Sequence, residues 1–487
     1  SLTFGEVNER ANRLANGLGE LGLKPGARIA TLGRNSLNFA EILFGLIKGC
    51  FVQLFLNPRL LPADLAFQIN DSEISAIIVE QYYAEVIDSI REQVKTVKHF
   101  ICFHGTHPRM VDYEKLLSSA SAKEPETELN LDDLGEIHYT GGTTGAPKGV
   151  LLPYRNRFAV ARNILLDGFT DLNSSDRFMA LQPLYHGAGW FLLPAWIRGA
   201  THYIVPRYDP EIALEVIEKH RITTIKTIPT VLIRLIDSPD IKKRDLSSIR
   251  TIFYGAEPML VNRLKEAYEI LGPVFVQGYG QMEAAASISI LKKEDHFFGD
   301  PKREKVLSSV GRAMTFVQVK IIDEEGKELP PGEIGEVVVT GDHIMIGYLN
   351  RPEATAEKKR DGWIYTGDLG TIDEEGYIYL TGGRKSEMII SGGLNIYPHE
   401  VEQVLCQHPA VREAAVIGVA DLKWGEAVKA CVVLKEGQKV SEQELIDFCK
   451  KGLISYKCPR FVHFIGELPR TGAGKVSYGD LRKRYRK

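Results

Sequence analysis

The sequence predicts an α/β fold. A large N-terminal domain of layered α/β sub-domains carries a β-rich sub-domain at its end, and a small α+β C-terminal domain follows. Three observations carry this expectation. Helical and strand patterns alternate from the start of the chain and again from about 176 to 290; short strands separated by turns replace them from Val317 to Leu380; a compact mixed pattern follows Gly383. The boundary falls near 385, giving domains 1–385 and 386–487, with the β-rich sub-domain over about 317–380.

The elements follow in order. Val7, Ala11, Leu14, Leu18 and Leu21 step by 4, 3, 4 and 3, the spacing of one apolar helix face, and Ile29 to Leu32 is a short apolar run suited to a strand. Asn35 and Ser36 precede a second helical stretch to Lys48, after which the apolar run from Phe51 supplies the next strand. Such alternation implies helices covering a largely parallel sheet. In the β-rich part the turns are Glu324-Glu325-Gly326, Pro331-Gly332 and Glu374-Glu375-Gly376. Beyond the boundary come a helix from Pro398, strands near 414–419 and 428–434, and a helix opened by a Ser441-x-x-Glu444 capping box.

Composition removes several classes. With 487 residues, 44 % hydrophobic and 25 % charged, the chain has apolar residues for a large core, which excludes whole-chain disorder, collagen and coiled coil. A net charge of −3 supplies no positive field for nucleic acid or an anionic membrane. Cys50, Cys102, Cys406, Cys431, Cys449 and Cys458 show neither a CxxC pair nor zinc-site spacing, and read as reduced thiols of a cytoplasmic protein. The uncharged run Phe178 to Ile197 is broken by Pro183, His186, Gly187, Gly189 and Pro194, so stable membrane insertion is not expected. Residue 1 is Ser and no charged-then-apolar leader follows, so no signal peptide is expected. The five positive charges of Arg482 to Lys487 read as a solvated tail.

The sharpest local motif is Tyr139-Thr-Gly-Gly-Thr-Thr-Gly-Ala-Pro-Lys-Gly149. Gly141, Gly142 and Gly145 let backbone N–H groups turn toward an anion, Thr140, Thr143 and Thr144 add hydroxyl donors, and Lys148 adds a charge. It is not a Walker A loop, because Pro147 and Gly149 flank the lysine where that motif needs Gly and a hydroxyl residue.

Seven further clusters follow: Pro183-Leu-Tyr-His186, Tyr254-Gly-Ala-Glu-Pro258, Gly278-Tyr-Gly-Gln-Met-Glu283, Tyr365-Thr-Gly-Asp368, Gly383-Arg384, Ser391-Gly-Gly-Leu-Asn-Ile-Tyr-Pro398 and Pro469-Arg-Thr-Gly-Ala-Gly-Lys475. In this order, across nearly the whole chain, they resemble the AMP-forming acyl-CoA synthetase and adenylation-enzyme superfamily, which includes firefly luciferase and the adenylation domains of peptide synthetases.

The resemblance implies a ligase that joins a carboxylate to the α-phosphate of ATP and then passes the acyl group to coenzyme A. Two anions must meet in the first step, which calls for Mg²⁺ and a placed cation. By resemblance, Lys475 bridges carboxylate and α-phosphate, Asp368 accepts the ribose hydroxyls, Arg384 reaches ribose or phosphate, and Glu283 binds Mg²⁺. Gly255, Ala256 and Glu257 with Gly278, Tyr279, Gly280 and Gln281 sandwich adenine. His186 borders the carboxylate and the thiol tunnel, Ser391, Gly392 and Gly393 line that tunnel, and Lys457 lies near coenzyme A phosphates. Ser386 is the expected hinge of a mobile C-terminal domain. Two positions depart from the pattern: Met282 stands for the usual Thr and Ser386 for a charged residue. The uncharged segment Leu184 to Pro194 is the expected acyl site. A medium- or long-chain fatty acid is the leading substrate, an aryl acid of the coumarate or benzoate type the alternative, and a catalytically silent nucleotide-binding member the outside class. The expected partners are the acid, ATP and coenzyme A, with a homodimer considered and no nucleic acid.

Overall fold

The computed structural model describes residues 1–140, 147–257, 259–384, 388–391, 394–421, 424–470 and 476–485; at 302, 382–384, 390, 394 and 395 it describes the backbone alone. The first sheet is built from β1 (Arg28–Leu32), β2 (Val52–Phe55), β3 (Ala76–Glu80), β4 (His99–Phe103), β5 (Val111–Asp112), β6 (Leu134–Thr140) and β7 (Lys148–Pro153). Their order is β7-β6-β2-β1-β3-β4-β5, with the short strand Gly347–Tyr348 outside β7. All pairs from β6 to β5 are parallel, and β7 closes on β6 as a hairpin. Every residue of β3 is buried, as a parallel strand covered on both faces requires.

The second sheet comprises β8 (Arg177–Ala180), β9 (Thr201–Ile204), β10 (Thr224–Lys226), β11 (Thr251–Gly255), β12 (Phe275–Tyr279), β13 (Ser289–Leu291) and β14 (Arg312–Ala313), in the order β14-β13-β12-β11-β10-β8-β9. Strands β12 through β9 are parallel. The chain runs from β8 to β9 on one side, and β10 and β11 follow on the other, so a topological switch point lies between the carboxyl ends of β8 and β10. Crevices of open α/β sheets form at such points.

A five-stranded antiparallel sheet spans Gln318–Ile322, Gly335–Thr340, Lys359–Arg360, Trp363–Ile372 and Ile378–Arg384. The last sheet contains Ile389–Ser391, Leu394–Ile396, Val411–Asp421, Gly425–Leu434 and Phe461–Phe464, with its own apolar core around Val401, Leu405, Val416 and Leu445.

Local chemistry explains most boundaries. The helix Phe4–Glu20 buries Val7, Ala11, Leu14 and Leu18, and starts at a reciprocal capping box between Thr3 and Glu6 that the sequence reading did not single out. Ser36 makes no side-chain cap to the helix Leu37–Lys48; Asn35 instead donates to the carbonyls of Gln182 and Val205 and accepts from Leu184 N–H, tying the first sheet to the second. Ser441 accepts from Glu444 N–H, but the Glu444 carboxylate lies 3.9 Å from His408. All six cysteines are free and buried. Among the described residues no helix is long and apolar enough to cross a membrane.

Candidate active site

Thr140 and Lys148 pair across the β6–β7 hairpin and pinch the base of the Gly/Thr loop. Tyr139 anchors that base, donating to Asp71 at 2.7 Å and lying 2.9 Å from the Ser72 hydroxyl. Gly141, Gly142, Thr143, Thr144 and Gly145 lie outside the described residues. The Lys148 ammonium stands 5.3 Å from the Tyr348 ring centroid, and the Tyr348 hydroxyl donates to Glu283 at 2.6 Å. Tyr348 therefore links the loop's cation to the expected metal carboxylate. Met345 N–H binds the Glu283 carbonyl and fixes the same corner.

The two glycine motifs meet because parallel β11 and β12 set Gly255 opposite Gly278. A Cβ on Gly255 would fall 2.1 Å from the Gly278 carbonyl oxygen, so the flat surface depends on the absence of a side chain. Ala256 follows with φ +71, a conformation that costs energy for a residue with a Cβ. Glu257 accepts from Thr230 N–H at 3.2 Å and from its hydroxyl at 2.7 Å.

Asp368 closes this shelf. Tyr279 and Gln281 each donate to its Oδ2 at 2.6 Å, and its own N–H bonds the Thr366 hydroxyl at 3.0 Å. Lys358 donates to Gln281 Oε1 at 3.1 Å and to the Thr366 carbonyl at 2.7 Å, placing a cation one residue behind the carboxylate. The Arg384 backbone stands opposite Asp368 in the antiparallel ladder. Gly280 sits against Ala286, whose carbonyl carbon is 2.3 Å from where a Cβ would be. Met282 packs on the apolar cluster that holds Phe191 and Phe253, which accounts for a thioether at that position.

His186 opens the 3₁₀ turn Gly187–Phe191 beyond the carboxyl end of β8, at the switch point. A Cβ on Gly189 would meet the Leu184 carbonyl oxygen at 2.3 Å, so the turn closes tightly. Behind it lies a buried ionic cluster: Glu136 binds His138 Nε2 at 2.7 Å and accepts from Arg157 Nε at 2.5 Å, while Arg157 also donates to the Gly189 carbonyl at 3.1 Å and stacks on Trp190. Burial alone would raise the Glu136 carboxyl, but the adjacent Arg157 guanidinium and His138 outweigh it and hold it down at about 2.

In the last domain Ser391 stands opposite Gly425. Lys457 is paired with Glu400. Gly392, Gly393, Ser386 and Lys475 lie outside the described residues. Among the described residues, polar contacts cross between the parts: Asn262 Nδ2 donates to the Cys406 carbonyl at 3.0 Å, and Arg470, bound to Glu413, lies 3.4 Å from the Thr230 hydroxyl. Thr230 thereby joins Glu257 at the shelf to Arg470, which forms an isolated bridge with Val476. Tyr348, Lys358, Lys226 and the Glu136–His138–Arg157 cluster were not singled out from the sequence. Their signal was present as charged residues inside apolar strand patterns, such as Glu136 and His138 flanking Ile137 and Lys226 ending Thr-Ile-Lys.

The AMP-binding enzyme family matches residues 1–349, and the AMP-binding enzyme C-terminal domain matches residues 400–475. A feruloyl-CoA synthase of Amycolatopsis is 37 % identical over all of this chain and 94 % of its own length. A medium/long-chain-fatty-acid–CoA ligase, FadD8 of Mycobacterium tuberculosis, is 35 % identical over 99 % of this chain and 86 % of the relative. The solved amide bond synthetase McbA from Marinactinospora thermotolerans superposes with a TM-score of 0.90 at 31 % identity, over 100 % of this chain and 95 % of that one. Matched along both parts by sequence and by fold, the chain belongs to the AMP-binding enzyme family, within the adenylate-forming superfamily that its motifs resemble.

Proposed function

We propose that the chain is an AMP-forming acid:CoA ligase that activates a hydrophobic monocarboxylic acid. The observation that carries this reading is the convergence of Tyr279 and Gln281 on one carboxylate oxygen of Asp368 beside the Gly255–Gly278 shelf. A carboxylate held this way suits two vicinal hydroxyls of a ribose, and the shelf suits a flat base. Lys148 stands at the phosphate side. Glu283, a single carboxylate supported by the Tyr348 hydroxyl, fits Mg²⁺, which is held by one or two carboxylates plus substrate phosphates. When bound, the ion offsets negative charge on ATP. Arg384 and Lys475 complete the adenylation centre in this reading.

His186 then borders the acyl and thiol paths, with Ser391, Gly392, Gly393 and Lys457 on the coenzyme A side. Lys457 must leave Glu400 to meet a phosphate, so coenzyme A competes with that ion pair. Six buried free thiols suit a reducing cytoplasm. Relatives named for aryl and for fatty acids support both acyl classes. The test is pyrophosphate release with a panel of carboxylic acids, with and without coenzyme A, and with an amine as the competing acceptor. Acid-dependent release followed by thioester is the expected result; release followed only by amide would move the chain to another acceptor.

A further inference from the structure

Arg157 is 4 % exposed on the helix Tyr154–Asn163, which follows the β6–β7 hairpin. Its planar guanidinium serves two partners: Nε donates to Glu136 at 2.5 Å and Nη1 to the Gly189 carbonyl at 3.1 Å. Glu136, His138 and Thr140 share one face of β6, because alternate residues of a strand point the same way, and Thr140 is the base of the Gly/Thr loop. Trp190 packs at this cluster, its ring centroid 4.6 Å from the Arg157 guanidinium and 5.7 Å from that of His138. On the other side, Gly189 N–H donates to the His186 carbonyl at 3.0 Å. Gly189 thus closes the turn on His186 with its N–H and is held by Arg157 through its C=O.

A buried ion pair adds little stability over a well-packed apolar pair of similar volume. What it adds here is placement: an apolar side chain could fill the space beside Trp190 but could not hold a carbonyl, and the guanidinium fork fixes direction as well as distance. We propose that Arg157 is a positioning residue for the acid: it ties the turn that opens at His186 to the strand that leads into the phosphate loop, and so sets where the acid's carboxylate meets the α-phosphate. This rests on the ligase reading above. A displacement of about 1 Å between reacting groups can cost about 100-fold in rate. Loss of the tie should therefore fall on the acid and spare the nucleotide, whose shelf is built on β11 and β12.

The experiment uses the paired variant Glu136→Met with Arg157→Met, which removes both buried charges at once, beside Arg157→Lys, which keeps a cation next to Glu136 but has no fork to serve both partners. Pyrophosphate release at saturating ATP is measured against the concentration of ferulic acid, of decanoic acid and of the rest of the acid panel; calorimetry reads AMP affinity and urea unfolding reads stability. In the paired variant kcat/KM for the acid that the parent uses best should fall about 10- to 100-fold, while AMP affinity is unchanged and stability stays near the parent's. Arg157→Lys should show the same acid-specific fall, smaller in size. Parent values of kcat/KM for the acid in the folded paired variant, or in Arg157→Lys if that variant alone folds, overturn the proposal. A matching loss of AMP affinity also overturns it, assigning the cluster to packing. Absence of release with any acid in the parent fails the ligase reading instead.

Discussion

The Tyr279 hydroxyl donates to Asp368 at 2.6 Å, joining the end of a parallel strand in the second sheet to the middle of an antiparallel strand in the third. Two sheets thus share one carboxylate, and the proposed nucleotide site lies at their seam. Asp368→Ala should weaken AMP binding by about 1.5–3 kcal/mol, the range for hydrogen bonds to a charged group, while Tyr279→Phe should cost about 0.5–1.5 kcal/mol. Calorimetry with AMP reads both. Unchanged affinity in Asp368→Ala would remove this residue from the site.

Tyr348 bridges Lys148 and Glu283, the proposed phosphate-side cation and metal carboxylate, so its hydroxyl should matter to the metal more than to the nucleotide. In Tyr348→Phe the Mg²⁺ concentration for half-maximal pyrophosphate release should rise about tenfold, the lower range for losing a group that supports a metal ligand. Titrating Mg²⁺ at saturating ATP and acid measures it. A normal Mg²⁺ curve with a raised KM for ATP would instead place Tyr348 with the phosphates alone.

The ionic cluster behind the acyl segment should be costly to break and cheap to delete. Arg157→Met leaves the Glu136 carboxylate buried beside His138 and should cost about 3–5 kcal/mol, whereas Glu136→Met with Arg157→Met removes both charges and should recover most of that loss. Urea unfolding of the N-terminal transition gives the comparison. Additive losses in the paired variant would show that packing against Trp190, rather than charge, holds this layer.

The fold was legible in its outline because apolar period is a local property. The stripe Val7, Ala11, Leu14 and Leu18 is buried as its spacing requires, and the turns at Gly326, Gly332 and Gly376 carry the positive φ that glycine permits. Caps were less legible, since Ser36 and Asn35 look alike as starters, yet Asn35 is taken by the second sheet. The site divides the same way. Motif residues such as Asp368 and Gly278 could be named from their neighbours in sequence. Lys226, Tyr348 and Lys358 could not, because what gives them meaning is a partner from another strand: Phe253, Glu283 and Gln281.

His202, His296 and His343, whose ring nitrogens are shielded from solvent or buried, give the chain an acid-sensitive limb. Burial pushes His202 down to about 3, and His296 and His343 down to about 4, from an ordinary 6.5. Between those values and 6.5 the unfolded chain binds protons that the folded chain refuses, so stability rises with pH there and falls as pH drops below about 6.5. Each such group contributes roughly 1.4 kcal/mol per pH unit. Thermal midpoints should be flat from pH 8 to 7 and decline from about 6.5 to 4, with a shallower decline in His343→Gln. An unaltered slope in that variant would remove His343 from the acid limb.

In the proposed reaction two chemistries share one centre. Lys475 and the loop Ser391 to Pro398 are assigned to successive steps, and a fixed arrangement would crowd both beside the α-phosphate, where the lysine would obstruct the thiol. A turn of the segment beyond Ser386 resolves this, because hinges absorb large φ/ψ changes in a few residues. The contacts seen here belong to one pose: Asn262 to the Cys406 carbonyl, Arg470 to Thr230, and Leu260 packed against the core around Val401 and Leu405. Lys475→Ala should then abolish adenylate formation and spare thioester formation from supplied acyl-AMP. Ser386→Pro, which fixes φ near −65° and restricts Lys385, should impair one half-reaction far more than the other. Asn262→Ala, which loosens only the pose seen here, should slow the half-reaction that this pose serves and leave the other at its parent rate. Single-turnover assays of each half-reaction in the three variants decide the matter. Equal losses in both half-reactions for Lys475→Ala and Ser386→Pro would mean that the domain does not turn between them.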